Sequence, residues 1–218
     1  MIRPNLIHAV NRLFLLSPAR SSGRRAQLLT RPEASFELAR RLQINDATLG
    51  EVFVFCSGLY FRGKLAYARR FAQPPPGVAG VHIITPSRGL ALAESVVGLS
   101  DLREFSGVNV EVAEPRFTKP LQASVQSLAD ASDCEVVLLG SIATGKYIES
   151  LLPLLGERLL FPREFTGRGD MSRGGLMLRC VAMGKELDYI PVAGAIRTGR
   201  RPKKLGAMIR SQTGPTGS

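Results

Sequence analysis

Apolar residues recur along the chain in two rhythms, and the changes between them predict alternating strands and helices. "GEVFVFCSG" (50–58) is a continuous apolar run bounded by glycines, as expected of a strand covered on both faces of a parallel sheet. "VHIITPSRGL" (81–90) predicts a second buried strand ending in a turn, residues 134–140 a third, and "ERLLFP" (157–162) a short fourth. "VNVEVAEP" (108–115) alternates apolar with polar and predicts an edge strand. Helical spacing appears over 4–16, where Leu6, Val10, Leu13 and Phe14 recur and Pro4 suits the first turn. It appears again over 33–43, 59–72, 100–106 (with Ser100 as cap), 119–131 and 146–155. The stretch 174–192 fits either a hairpin turning near Gly184 or a helix followed by a strand.

This alternation predicts an α/β protein: an open, mostly parallel sheet flanked by helices. An N-terminal helical segment (1–49) packs on an α/β domain (50–192). A Gly-, Pro- and Lys/Arg-rich tail (193–218) is expected to be flexible and disordered.

Charge refines the picture. The chain of 218 residues carries 29 Lys and Arg against 18 Asp and Glu, a formal charge of +11. Residues 1–32 hold six Arg and residues 193–218 hold four Arg and two Lys, with no acid in either stretch. Without those twelve, 17 basic and 18 acidic residues remain, so the middle is nearly neutral and the ends are basic. Basic ends attract polyanions such as RNA, DNA or anionic lipid. The Arg-rich start also has the composition of a transit peptide, but its helical spacing favours a structural element. No apolar run is long enough to span a membrane. Three isolated Cys (Cys56, Cys134, Cys180) suggest reduced core thiols and a cytoplasmic setting. With two His in all, a His-based metal site or a Ser-His-Asp triad has little to draw on, and neither metal nor cofactor is expected.

The candidate chemistry lies where strands meet helices. "GSIATGKY" (140–147) is one residue short of the phosphate-loop pattern, and Tyr147 stands where that pattern needs a short hydroxyl for Mg²⁺. It reads as a plain strand–turn–helix connection, or as a loop holding an anion without Mg²⁺ through the N–H groups of 141–146, Ser141, Thr144 and Lys146. In an open α/β sheet, ligands sit beyond the carboxyl ends of the strands. Strand ends at "CSG", "TPSRG" and "GSIATGK" would bring Ser57, Ser87, Arg88, Ser141, Thr144, Lys146 and Tyr147 to one rim, with Tyr60, Arg62 and Lys64 close behind. "FPREFTGRGDMSRGGL" (161–176) suits a lid or clamp: Arg163, Arg168 and Arg173 can grip an anion, and Glu164 and Asp170 are the candidate acid/base pair. Cys56 and His82 read as packed core residues.

The succession "CSGLYFRGKLAYARRFA", "VHIITPSRGL", "EVVLLGSIATGKYIESLLPLLG" and "LLFPREFTGRG" resembles a group of uncharacterised bacterial α/β proteins. In outline it is similar to small domains associated with deazaguanine modification of nucleic acid. The likeness covers roughly residues 50–170. It departs after Cys56, where Leu59-Tyr60 follow almost directly and the Lys-bearing loop of those domains is absent. The resemblance implies a fold and carries over no catalytic residue. The expected function is binding of a nucleotide, or of RNA or DNA phosphate, at the rim. The alternatives are an enzyme acting on a small anionic, nucleotide-like substrate and a partner-binding protein without catalysis.

Overall fold

A computed structural model describes residues 11–200 and 202. The chain is α/β. Six strands form the main sheet: β1 (Arg12–Leu16), β3 (Val81–Ile84), β4 (Leu90–Leu92), β6 (Glu135–Leu139), β7 (Leu159–Pro162) and β8 (Tyr189–Pro191). Their spatial order is β4-β3-β1-β6-β7-β8. The inner four run parallel, and the edge strands β4 and β8 are antiparallel to their neighbours. A separate short ribbon pairs β2 (Ala47–Thr48) with β5 (Val96–Val97).

The centre of the sheet is β1. All four residues of its Leu13–Leu16 run are fully buried, and they alternate between two cores. Phe14 and Leu16 face one core with Val137 and Leu139 of β6. That side is covered by α1 (Arg24–Leu29), α2 (Glu37–Gln43), α3 (Leu49–Ser57), α4 (Leu59–Phe71), α5 (Leu99–Ser106) and α8 (Asp170–Met183). Leu13 and Leu15 face the other core with Val136 and Leu138, under α6 (Pro115–Ala131) and α7 (Gly145–Leu155). At its amino end, Arg12 pairs with Glu135 at 2.8 Å and Glu186 at 3.2 Å, so one guanidinium ties three segments together.

Three expectations are corrected. The helix expected over 4–16 gives way to β1 at residues 12–16; residues 4–10 lie outside the described residues, as does the expected tail beyond 202. An apolar run of four fits a buried strand and a helix face equally well, and only the empty lane between β3 and β6 decides between them. The strand expected over 50–58 is helix α3. Its start is a capping box: the Glu51 N–H donates to Thr48 Oγ1 at 3.3 Å, and the Thr48 N–H donates to the Glu51 carboxylate at 2.9 Å. Arg41 grips the same carboxylate at 2.7 and 3.0 Å, which holds its pKa down to about 2. The edge strand expected over 108–115 is absent. The edge beside β3 is β4, which folds straight back through the turn at Gly89. Of the two readings for 174–192, helix then strand is the one adopted.

Helices α4 and α8 cross at backbone distance. A Cβ at Gly63 would meet the Gly174 carbonyl oxygen at 2.7 Å, and a Cβ at Gly174 would meet the Leu59 carbonyl oxygen at 2.7 Å. Backbone atoms cannot yield locally, so Gly63→Ala is expected to cost about 1–3 kcal/mol by forcing the helices apart. Gly169→Ala, where an added Cβ meets nothing within 4 Å, is the control and should change little. Denaturant midpoints of the two variants measure the difference; equal midpoints would rule out the crossing as the constraint.

Candidate functional site

The site follows from the direction in which the chain leaves two neighbouring strands. After β1 it passes to the helices of the first core, and after β6 it enters α7 in the second. Adjacent parallel strands whose continuations depart to opposite faces leave a crevice at their carboxyl ends. Here it is a cleft of about 420 Å³. One wall is the β1 loop, Pro18 to Ser22; another is the start of α7 at Lys146 and Tyr147. Pro86 and the segment from Phe105 to Glu111 close the far side.

Beneath the cleft lies a buried polar cluster drawn from four elements. Lys64 of α4 is 1% exposed. Its ammonium donates to the Ser17 carbonyl oxygen at 2.5 Å and to Ser17 Oγ at 2.9 Å, at the carboxyl end of β1. It also lies 4.5 Å from the centre of the Tyr60 ring and 4.7 Å from that of Phe61. No carboxylate is bonded to it. Burial pushes the Lys64 pKa down to about 7; Arg173 and Lys146 push the same way, and Asp170 partly opposes them. Burial raises the Tyr60 phenol to about 12, with Arg173 and Ser17 pulling weakly against it. The Tyr147 phenol is also raised by burial. Its ring packs edge-on to Phe117 at 6.3 Å.

Of the residues singled out by sequence, Tyr60, Lys64, Lys146, Tyr147, Asp170 and Arg173 converge on this region. Ser141 and Thr144 lie in the loop leading to α7. The Ala143 N–H donates to Ser141 Oγ at 3.3 Å, and Thr144 precedes the helix without a side-chain cap bond. Others are engaged elsewhere. Ser57 closes helix α3 rather than a strand. Arg62 is exposed on α4 and lines a separate shallow hollow with Glu51 and Arg69. Ser87 and Arg88 are bonded to Glu104, and Arg88 also pairs with Asp101 at 2.6 Å. A cation so neutralised is poorly placed to draw an anion.

The 163–173 segment does not assemble into a three-arginine clamp. Arg163 is exposed. Arg173 is buried and donates twice to the Phe165 carbonyl oxygen, at 3.2 and 3.0 Å. Arg168 donates to Ser172 Oγ at 3.2 Å. Glu164 accepts the Asp188 N–H at 3.4 Å, whereas Asp170 is exposed and sits 3.8 Å from Arg173, so the two carboxylates serve different partners.

Sequence reasoning missed Ser17, Arg20, Ser21, Asn109 and Glu111, because 12–16 was assigned to a helix and 108–115 to a strand. The signal existed: "LFLLSP" and "HIITP" share one pattern, an apolar run, then Ser or Thr, then Pro. No group of His, Cys, Asp and Glu suited to a metal occurs among the described residues. Cys56 is half-buried, and burial raises its thiol to about 12, which suits a packing role. Comparison with protein-family models, curated proteins and solved structures yields no match to this chain.

Lys64 makes stability depend on pH with a definite sign. Between about pH 7 and its ordinary value of 10.5, the unfolded chain holds the proton and the folded chain does not, so raising pH favours folding. Over that window the wild type should gain on Lys64→Met by on the order of a few kcal/mol. Urea unfolding of both proteins from pH 6.5 to 10 measures this. A difference that stays flat with pH would mean Lys64 keeps its proton throughout.

Proposed function

We propose that the protein binds a nucleotide or nucleic-acid phosphate at the carboxyl rim of its sheet, in the cleft between the β1 loop and α7. The observation that carries this reading is the location of unpaired buried polar atoms. Folded chains pair nearly all such atoms, and exceptions mark places where something else supplies the partner. Among the described residues the exceptions are Ser21 Oγ, Tyr60 OH, Glu164 Oε2 and Arg168 Nε. Ser21 follows β1 and lines the cleft; Glu164 and Arg168 follow β7 and Tyr60 begins the helix whose Lys64 binds the end of β1, at the same end of the sheet but outside the cleft lining.

The charge of the cleft supports an anion. Arg20 and Lys146 line it, and neither has a carboxylate partner among the described residues. The cleft's volume suits a small molecule. Basic residues at both ends of the sequence would add attraction for a polymer. The resemblance to domains associated with deazaguanine modification is in keeping with a nucleotide ligand.

A second reading, an enzyme acting on such a ligand, is favoured by Lys64. A buried amine near neutrality, beside a phenol with no partner, is an arrangement suited to moving protons. Chemical change of a bound nucleotide, followed by NMR, separates it from the first.

Binding of mononucleotides and short RNA or DNA, measured by thermal shift and titration calorimetry at low salt, tests the proposal. At least one should raise the melting temperature, and oligonucleotide affinity should fall steeply as salt rises. If neither mononucleotide nor oligonucleotide binds at low salt, the proposal fails.

A further inference from the structure

Resting on the reading above, we infer that the cleft is a mononucleotide site: a phosphate monoester sits at the N-terminus of α7, between Lys146 and Ser21, with no metal ion, and the nucleoside extends toward Pro86, Phe105 and Asn109.

The phosphate end rests on three independent features. Helix α7 has 11 residues and begins at Gly145, and Thr144 before it supplies no side-chain cap. Its first N–H groups therefore have no intrahelical acceptor and no capping bond from Thr144, and they carry the positive end of the helix dipole. Ser21 is only 8% exposed and lines the same cleft, and its hydroxyl has no partner. A small donor left unpaired in a cleft that a helix start also lines is what a phosphate oxygen would satisfy. Lys146, second residue of the helix, lines the cleft, and its ammonium rests 5.1 Å from the Tyr147 ring centre with no ion-pair partner among the described residues.

The lack of a metal follows from the donors present. In a Mg²⁺-dependent phosphate loop the residue after Lys offers a short hydroxyl. Here that residue is Tyr147, 4% exposed, with its ring turned into the core against Phe117. The charge of the phosphate must then be met by Lys146, Arg20 and the helix terminus.

The other end of the cleft differs in character. Pro86 and the buried Phe105 and Val108 contribute its apolar atoms, while Asn109 and Glu111 are exposed on its rim. An amide and a carboxylate there suit a base edge and sugar hydroxyls. The lining thus combines cationic, amide and apolar groups, as a mononucleotide requires. One local carboxylate competes: Glu149 folds back so that its oxygen occupies the space beside Gly145 where a Cβ would be. Its removal should favour the ligand.

The test uses the full chain, with adenosine, guanosine, cytidine and uridine 5′-monophosphates, their nucleosides and a short single-stranded oligonucleotide, each in EDTA and in Mg²⁺. Calorimetry should show at least one monophosphate binding about tenfold or more tightly than its nucleoside, equally well in EDTA. Ser21→Ala and Lys146→Ala should each weaken it about tenfold, Lys146→Arg should restore most of the loss, and Glu149→Gln should tighten it severalfold. Melting temperatures without ligand confirm that the variants fold; should Ser21→Ala fail to fold, the Lys146 pair and Glu149→Gln still decide. Monophosphate affinity unchanged in both alanine variants, or nucleosides binding as tightly as monophosphates, overturns the inference and leaves the broader reading standing. Oligonucleotides binding while no monophosphate does has the same consequence. If no phosphate compound binds, both fall together.

Discussion

The bond between the Lys64 ammonium and the end of β1 holds the rim together. The cation reaches the Ser17 carbonyl oxygen and hydroxyl where the strand ends and the loop begins. A buried ammonium with no carboxylate against it is costly, and the cost appears as the fall in its pKa. The contact is retained where the chain must turn from the sheet toward the helices. It fixes α4 to β1, and α4 in turn fixes α8 through the backbone contact at Gly63 and Gly174. Arg173, one residue before that contact, then reaches the Phe165 carbonyl oxygen after β7. Three of the segments at the rim are thus linked in one chain of contacts.

Such a linkage gives the sheet end a buried support beneath loops of varied composition. Behind the lining, buried side chains are held by their contacts: Lys64 by the rings of Tyr60 and Phe61, Tyr147 by Phe117, and Arg173 by two bonds to the Phe165 carbonyl oxygen. The lining comes from loops, which vary more freely than the elements they join. A site built this way is pre-organised, so a ligand would pay little to order it. The unpaired atoms near the rim carry a desolvation cost, since each has been taken from water without receiving a partner among the described residues.

Parts of this were visible in the chain. The strands β3, β6 and β7 and the helices α4, α6 and α7 lie close to where apolar spacing places them, because each is long or distinctly patterned. Part of the cleft lining and of the buried cluster was legible. Lys146 and Tyr147 stand out because glycines bracket a strand-to-helix turn, and Tyr60 and Lys64 because they begin a clear helix. Ser57 was misplaced with α3: the run 50–58 reads as a strand, although Thr48 and Glu51 already spelled a capping box three residues apart. Ser87 and Arg88 were placed on the right loop but not with their partners, since nothing local says that Asp101 and Glu104 fold back onto them.

By itself, the sequence determined the alternation of elements, the neutral middle with basic ends, and the existence of polar turns after apolar strands. These are local quantities, set by spacing along the chain and by which residues glycine and proline interrupt. The tertiary structure alone decided that "LFLL" is the central strand, that Lys64 is buried rather than part of a basic helix face, and which cations remain unpaired. Those facts depend on contacts between residues far apart in the chain, such as Lys64 with Ser17 and Leu16 with Leu139. A short apolar run or a lone cation carries no mark of its eventual neighbour, so only the closed sheet assigns each its place.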